Sequence, residues 1–255
     1  MKLIGTIHRD FEGPRRLQYV LERLQPQRMT VEAPSNFSPA DARNFFLQYR
    51  ANRLPVVQST DMPQTLREFY TELCWVGGYE ALVPIAYAEN AGREVFMVDS
   101  PRPGLLDFDE KGFRKELEDE IAKFAHWNEM SYDTVRSRYD ALIDTSYHTP
   151  LVLLGGLIPA VRYAMAQRSR AALDRLRTSI TGGRWKRKET VMEVEREQYM
   201  ADEIRRVNPD VHIGGLAHVF GVLDSPVARL YSLLGDLVDE RIRLCDVFER
   251  YPVAR

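Results

Sequence analysis

Lys2-Leu3-Ile4-Gly5-Thr6-Ile7-His8 opens this 255-residue chain, and Met29-Thr30-Val31-Glu32-Ala33 follows after one helix-length segment. Leu3-Ile4 is a short β-like apolar run. Gly13-Pro14 then opens a helix, because proline fits the first helical turn. The apolar positions Leu17, Val20, Leu21 and Leu24 fall on one face of that helix. Pro26 stops it, and Met29–Ala33 reads as a second strand ending at Glu32. A strand, a helix and a strand in such close succession begin an α/β fold with a largely parallel sheet.

The alternation continues outward from there. Ser38-Pro39 is a capped helix start for the stretch through Arg50, and Leu54–Gln58 is a third candidate strand. Pro63 begins a helix to about Trp75. Gly77-Gly78 breaks it, and the next helix ends at Gly92. Glu94–Val98 is then a compact strand closing at Asp99. From about residue 105 strand signals disappear and helical spacing takes over, as in Phe113, Leu117, Ile121 and Phe124. The strand-and-helix pattern returns with a helix from about Glu189 to Val207, a strand at Val211–Ile213 and a helix from Ser225-Pro226 through Val238. Ile242–Val247 is a candidate final strand. The expected organisation is an α/β core in two parts, 1–104 and 189–255, with a helical insertion or lid at 105–188.

Apolar residues make up 44% of the chain and charged residues 28%, which is ordinary for a globular protein. A net charge of −2 gives no overall field toward nucleic acid or an anionic membrane, and no nucleic-acid partner is expected. The longest apolar run, Leu151 to Val161, has 11 residues and contains Gly155, Gly156 and Pro159. A spanning helix needs about 20 apolar residues, so no transmembrane segment is expected. The strand at Lys2–Ile4 leaves no room for a signal peptide, and Cys74 and Cys245 are isolated as in a reducing compartment. A cytoplasmic protein is the expectation. Charge is segregated within the helical middle: Asp107 to Glu120 holds seven acids against three bases, and Arg162 to Lys188 holds nine bases against Asp174 alone. Solvated faces or mutually paired helices account for such blocks.

Two Gly-x-x-His tetrads stand at opposite ends of the sequence, Gly5-Thr6-Ile7-His8 and Gly215-Leu216-Ala217-His218. Each follows a β-like run. Glycine lets the backbone turn sharply after a strand, and the histidine beyond it then faces the strand's carboxyl end. Two copies in one context suggest a single composite site. Glu32 and Asp99 also end strands, and ligands in open α/β sheets collect outside those ends. Arg196 lies on the stripe Met192, Arg196, Met200, Ile204 and Val207, whose other members are apolar, so the stripe turns a guanidinium inward. Two readings of it stay open: a structural bridge to a carboxylate, and an active-site arginine that orients a carboxylate or stabilises negative charge.

His8, His218 and Glu32 together would supply a His₂-carboxylate set for a divalent ion such as Mn²⁺, Co²⁺ or Zn²⁺, with positions left for water or substrate. The alternative for each histidine is an ordinary hydrogen-bonded residue near a strand end. His126, His148 and His212 show no convincing partners in sequence. No His-Glu-x-x-His, Gly-x-Ser-x-Gly or P-loop pattern is present, so zincin, serine-hydrolase and NTPase readings lack support.

The chain resembles the TraB/PrgY family, within the wider group that includes Tiki metalloproteases, GumN proteins, erythromycin esterases and ChaN-like haem-binding proteins. The matching pieces are Gly5-Thr6-Ile7-His8, Val31-Glu32, Gly78-Tyr79-Glu80, Val98-Asp99, Glu195-Arg196 with Met200-Ala201, and Gly214-Gly215-Leu216-Ala217-His218 with Gly221. They occur in order over roughly residues 1–100 and 190–225. The chain departs from the pattern at Ser100, where an Arg is usual, and no membrane anchor like that of many members is expected.

The resemblance implies a mixed, largely parallel sheet built on a repeated unit, with both tetrads around one cleft. It implies that His8, Glu32, Arg196 and His218 line that cleft, and it adds Glu80, Asp99, Glu195, Gly5 and Gly215 as candidates. Two functions follow as expectations. One is a metal-dependent hydrolase of peptide or amide bonds, with His8, His218 and Glu32 as ligands and Glu32 and Arg196 in the chemistry. The other is a non-catalytic regulatory or binding protein that sequesters a peptide, haem or another small ligand.

Overall fold

The computed structural model describes residues 1–101, 108–123, 127–148, 191–220 and 229–252. Five strands form one sheet: β1 (Lys2–Thr6), β2 (Arg28–Pro34), β3 (Glu94–Asp99), β4 (Val211–Gly215) and β5 (Glu240–Arg243). Their order is β3-β2-β4-β1-β5, and every pairing is parallel. The fold is therefore α/β with helices flanking a wholly parallel sheet, a stricter arrangement than the mixed sheet expected from the resemblance. Parallel neighbours need crossover connections. Four helices lie between β1 and β3: α1 (Gly13–Leu24), α2 (Pro39–Ser59), α3 (Gln64–Val76) and α4 (Tyr79–Ala91).

The order carries a topological consequence. The strand β4, late in sequence, inserts between β1 and β2, so the chain's two ends meet at the sheet centre. In register, Gly5 faces Gly214 and Thr6 faces Gly215. The tetrads, far apart in sequence, thus leave adjacent strands side by side. The Thr6 hydroxyl donates to the Gly214 carbonyl at 3.1 Å and ties the two strand ends together.

Leu3, Ile4, Met29, Val31, Val211 and Ile213 are buried in the sheet, as expected for strands covered on both faces. Leu17, Val20 and Leu21 of α1 are fully buried, matching the predicted stripe. The long helix α7 (Val191–Val207) buries Met200, Ile204 and Val207, so its predicted face also points inward.

Two sequence expectations are corrected. Leu54–Gln58 is not a strand; it forms the last turns of α2, which runs through Pro55 to Ser59. Val56 and Val57 suit a strand by branching, but here they pack as helix residues, with Val57 buried against the cluster containing Leu66, Phe69 and Tyr70. The Thr60 backbone N–H and hydroxyl both donate to the Val56 carbonyl and close the helix. The final strand is earlier than Ile242–Val247: β5 covers Glu240–Arg243, and Leu244–Asp246 is a 3₁₀ turn leading into α10 (Val247–Arg250). The remaining helices of that end are α8 (Leu216–Phe220) and α9 (Arg229–Leu234).

Where described, the middle of the chain is helical: α5 (Glu110–Lys123) and α6 (Tyr132–His148). Leu117, Trp127 and Val135 from this region join Phe11, Phe69 and Leu73 in a second hydrophobic cluster beside the sheet. This part is therefore packed onto α2 and α3. The expectations for the apolar run Leu151–Val161 and the basic block ending at Lys188 fall outside the described residues. Among the described residues no helix is long and apolar enough to cross a membrane.

Candidate functional site

The site begins with a distortion in β2. The pairing of β2 with β3 shifts register between Val31 and Pro34, so Glu32 sits where the ladder is irregular. Bulges of this kind re-aim side chains at sheet ends. The Glu32 carboxylate reaches over β4, where its Oε2 accepts the Gly215 N–H at 2.7 Å. Its Oε1 accepts Arg196 Nη2 at 2.5 Å. Burial alone would raise the Glu32 pKa, but His218, Arg196 and the Gly215 N–H outweigh it and hold the group well below the usual carboxylate range. Glu32 is ionised.

Arg196 comes down from α7 and bridges two strand ends. Besides Glu32 it engages Asp99 through two parallel bonds, Nε to Oδ1 at 2.6 Å and Nη2 to Oδ2 at 2.8 Å. This fork-on-fork geometry is specific to arginine. Burial opposes the charge, but Asp99 and Glu32 more than compensate, so the guanidinium stays protonated. Of the two readings left open by the sequence, the bridge is present and one of the carboxylates it orients is Glu32.

The two histidines flank Glu32. His218, in α8, places Nε2 3.4 Å from Glu32 Oε1 and Nδ1 2.7 Å from Glu197 Oε1. His8 follows β1 and places Nδ1 2.7 Å from Glu80 Oε1. Glu80 belongs to the first turn of α4, after Gly78 adopts φ +75°. The Ile7 backbone is clamped as well: its carbonyl accepts from Tyr79 Oη at 3.2 Å and its N–H donates to Tyr147 Oη at 3.3 Å. The chain is thus fixed immediately before His8. Glu80 pushes the His8 imidazole up to about 9. For His218 burial pulls the other way, but Glu32 and Glu197 push it up to about 10.

Gly215 occupies the point where these groups converge. A Cβ built on it would lie 3.3 Å from Glu32 Oε2, 3.5 Å from His218 Cδ2 and 3.8 Å from His8 Nε2. Glycine is required there to leave the space open. Gly5 plays a different part and does not line the cleft. A Cβ on it would come within 3.0 Å of Leu216 Cδ1 and the Phe220 ring, so its absence lets α8 pack on β1.

Glu195 is exposed and does not line the cleft, which corrects the expectation from the resemblance. Glu197, two residues along α7, is the acid that reaches His218. No local pattern marks it, because its partner is set by the packing of α7 against α8. His212 was also missed. It is fully buried in β4, with Nδ1 3.0 Å from Thr30 Oγ1 of the neighbouring strand, and its Nε2 has no partner. Strand periodicity puts it on the same side as Gly214, whose hypothetical Cβ would meet His212 Nε2 at 2.8 Å. That two-residue spacing was the available signal. Burial pulls its imidazole down to about 4, so it is neutral.

His8, Glu32, Glu80, Asp99, Arg196, Gly215 and His218 line a cavity of about 480 Å³ together with Tyr49 and Arg53 of α2, Tyr70 of α3 and Phe113 of α5. Pockets of about 300–1,000 Å³ accommodate small molecules and short peptides. The donor atoms of His8, Glu32 and His218 are not gathered within 4.8 Å of one another. Among the described residues, the one trio of potential ligands that is so gathered is His148, Cys245 and Asp246, which lies outside this cavity.

The donor chemistry suits a divalent ion. Each histidine has Nδ1 held by a carboxylate, the arrangement that fixes the tautomer and presents Nε2 as a ligand. Glu32 Oε1 faces both Arg196 and His218, whereas Oε2, which accepts the Gly215 N–H, has a second lone-pair direction. No protein-family model, curated protein or solved structure matches this chain. The resemblance to the TraB/PrgY group stands on its motifs.

Proposed function

We propose that this chain is a metal-dependent hydrolase acting on peptide or amide bonds in the cleft between the two tetrads. The observation that carries the reading is the pair of carboxylate-backed histidines facing Glu32 across Gly215. His8 and His218 would hold the ion through Nε2, with Glu32 as the third ligand. A bound divalent ion of the Mn²⁺, Co²⁺ or Zn²⁺ kind supplies an acidified water and polarisation of the scissile carbonyl.

The chain's own groups do the positioning. Glu80 and Glu197 fix the two imidazole rings. Arg196 locks Glu32 against Asp99. Gly215 leaves room above the strand end for a reacting group. In the absence of metal the raised imidazole pKa values mean that both rings carry protons at neutral pH, so loading an ion releases protons.

A second reading, a non-catalytic protein that sequesters a peptide or small ligand, is favoured by one observation. Glu32, Glu80 and Asp99 are all already ion-paired in the structure. The deciding experiment is cleavage of a mixed peptide library after chelation and after return of Mn²⁺, Co²⁺ or Zn²⁺, with products read by mass spectrometry. Metal-restored cleavage supports the hydrolase. Peptide retention without cleavage under any metal supports the binding protein.

A further inference from the structure

The same cavity is lined by an arginine with a different environment. Arg9 and Arg196, the other two arginines lining the cavity, are each matched to carboxylates: Arg9 to Glu120 at 2.7 Å and Arg196 to Glu32 and Asp99. Arg53 makes no ion pair among the described residues. Its guanidinium lies over two rings, with its central carbon 3.8 Å from the Tyr49 centroid and 4.4 Å from that of Phe113. Its buried Nε has no hydrogen-bond partner.

Ring contacts of this kind leave the N–H donors of a guanidinium, which lie in its plane, for hydrogen bonds. Tyr49 sits one helical turn before Arg53 on α2, and Phe113 comes from α5. The arrangement holds the cation rigidly without neutralising it. A buried donor without a partner is costly unless something completes it. A planar carboxylate is the group whose geometry matches a guanidinium edge.

We propose that Arg53 anchors a free carboxylate of the substrate, so that the cleft accepts small amides bearing one, such as short peptide acids or N-acyl amino acids. The amide part rests on the hydrolase reading; the carboxylate anchor does not. The volume of about 480 Å³ suits a ligand of a few residues, with one end on Arg53 and the amide toward His8, Glu32 and His218.

The test is calorimetric titration of the full chain, in EDTA to prevent turnover, with tetra-alanine carrying a free C-terminus and with its C-terminal carboxamide. The acid should bind at least about tenfold more tightly than the amide, since charge-assisted bonds to arginine are roughly twice as strong as neutral ones. R53Q should remove that preference, and R53K should keep part of it. A thermal melt checks that each variant folds, and the acid-to-amide ratio in the native protein tests the anchor without any variant. Equal affinity for acid and amide, including no detectable binding of either at millimolar concentration, overturns the proposal. So does binding of inorganic phosphate without binding of the peptide acid. Acid selectivity without hydrolysis in the library assay would keep the anchor and discard the hydrolase. Hydrolysis without selectivity would do the reverse.

Discussion

Gly215 donates its backbone N–H to Glu32 Oε2 at 2.7 Å, and its missing side chain leaves open the point toward which both tetrad histidines face. The G215A variant should therefore fold, since the new methyl meets side-chain atoms at 3.3 Å and beyond. It should lose most divalent-ion affinity, by about tenfold or more, as supporting-group changes at metal sites do. Far-UV circular dichroism paired with metal titration checks both halves of this expectation.

Glu197 and Glu195 provide an internal comparison. E197Q removes the charged acceptor that holds His218 Nδ1, and metal affinity should fall about 10- to 100-fold. E195Q alters an exposed carboxylate and should leave affinity unchanged. Equal losses in both variants would show that the effect is general electrostatics.

Arg196 should matter as much for stability as for the site. Its removal leaves Glu32 and Asp99 as poorly exposed charges without their shared partner. Breaking a buried pair in this way costs about 3–5 kcal/mol. Urea unfolding of R196A should show a loss in that range. R196K should fall between it and the native chain, because lysine keeps the charge and gives up the fork.

His212 introduces a defined acid sensitivity. Burial holds its folded-state pKa at about 4 against 6.5 in the unfolded chain. Its contribution is fully present above pH 6.5 and is lost as pH falls toward 4, because the unfolded state then binds the extra proton. Between pH 7 and pH 5 the native chain should lose about 2 kcal/mol more than H212N, measured by urea unfolding at each pH. His8 and His218, with raised values, act in the opposite sense: their stabilisation is present below pH 6.5 and is lost as pH rises through about 9 and 10.

Gly5 tests the packing assignment. G5V puts a side chain against Leu216 and Phe220, where even a Cβ would sit at 3.0 Å, and overpacking costs about 1–3 kcal/mol. The thermal midpoint should drop accordingly.

Much of the α/β core was legible in the sequence because its signals are local. Gly13-Pro14, Ser38-Pro39 and Gly92 mark helix ends by backbone chemistry that does not depend on the rest of the fold. Arg196 was legible because four-residue spacing places it on a buried stripe. Leu54–Gln58 misled because β-branched residues favour strands only when a sheet is there to receive them, and here α3 and α5 receive them as a helix. The order of strands was not legible. The insertion of β4 between β1 and β2 depends on long-range pairing, and with it come the contacts His212–Thr30, Glu32–Gly215 and His8 beside His218. Glu197 was hidden for the same reason, since only the docking of α7 beside α8 brings it to the ring.

The central claim is that the two tetrad histidines serve one metal site. It is tested most directly by elemental analysis of the native chain, H8A/H218A and C245A, each loaded with Zn²⁺ and desalted. The account predicts about one ion per chain in the native protein and in C245A, and essentially none in H8A/H218A. Equal metal content in the native chain and H8A/H218A would contradict it.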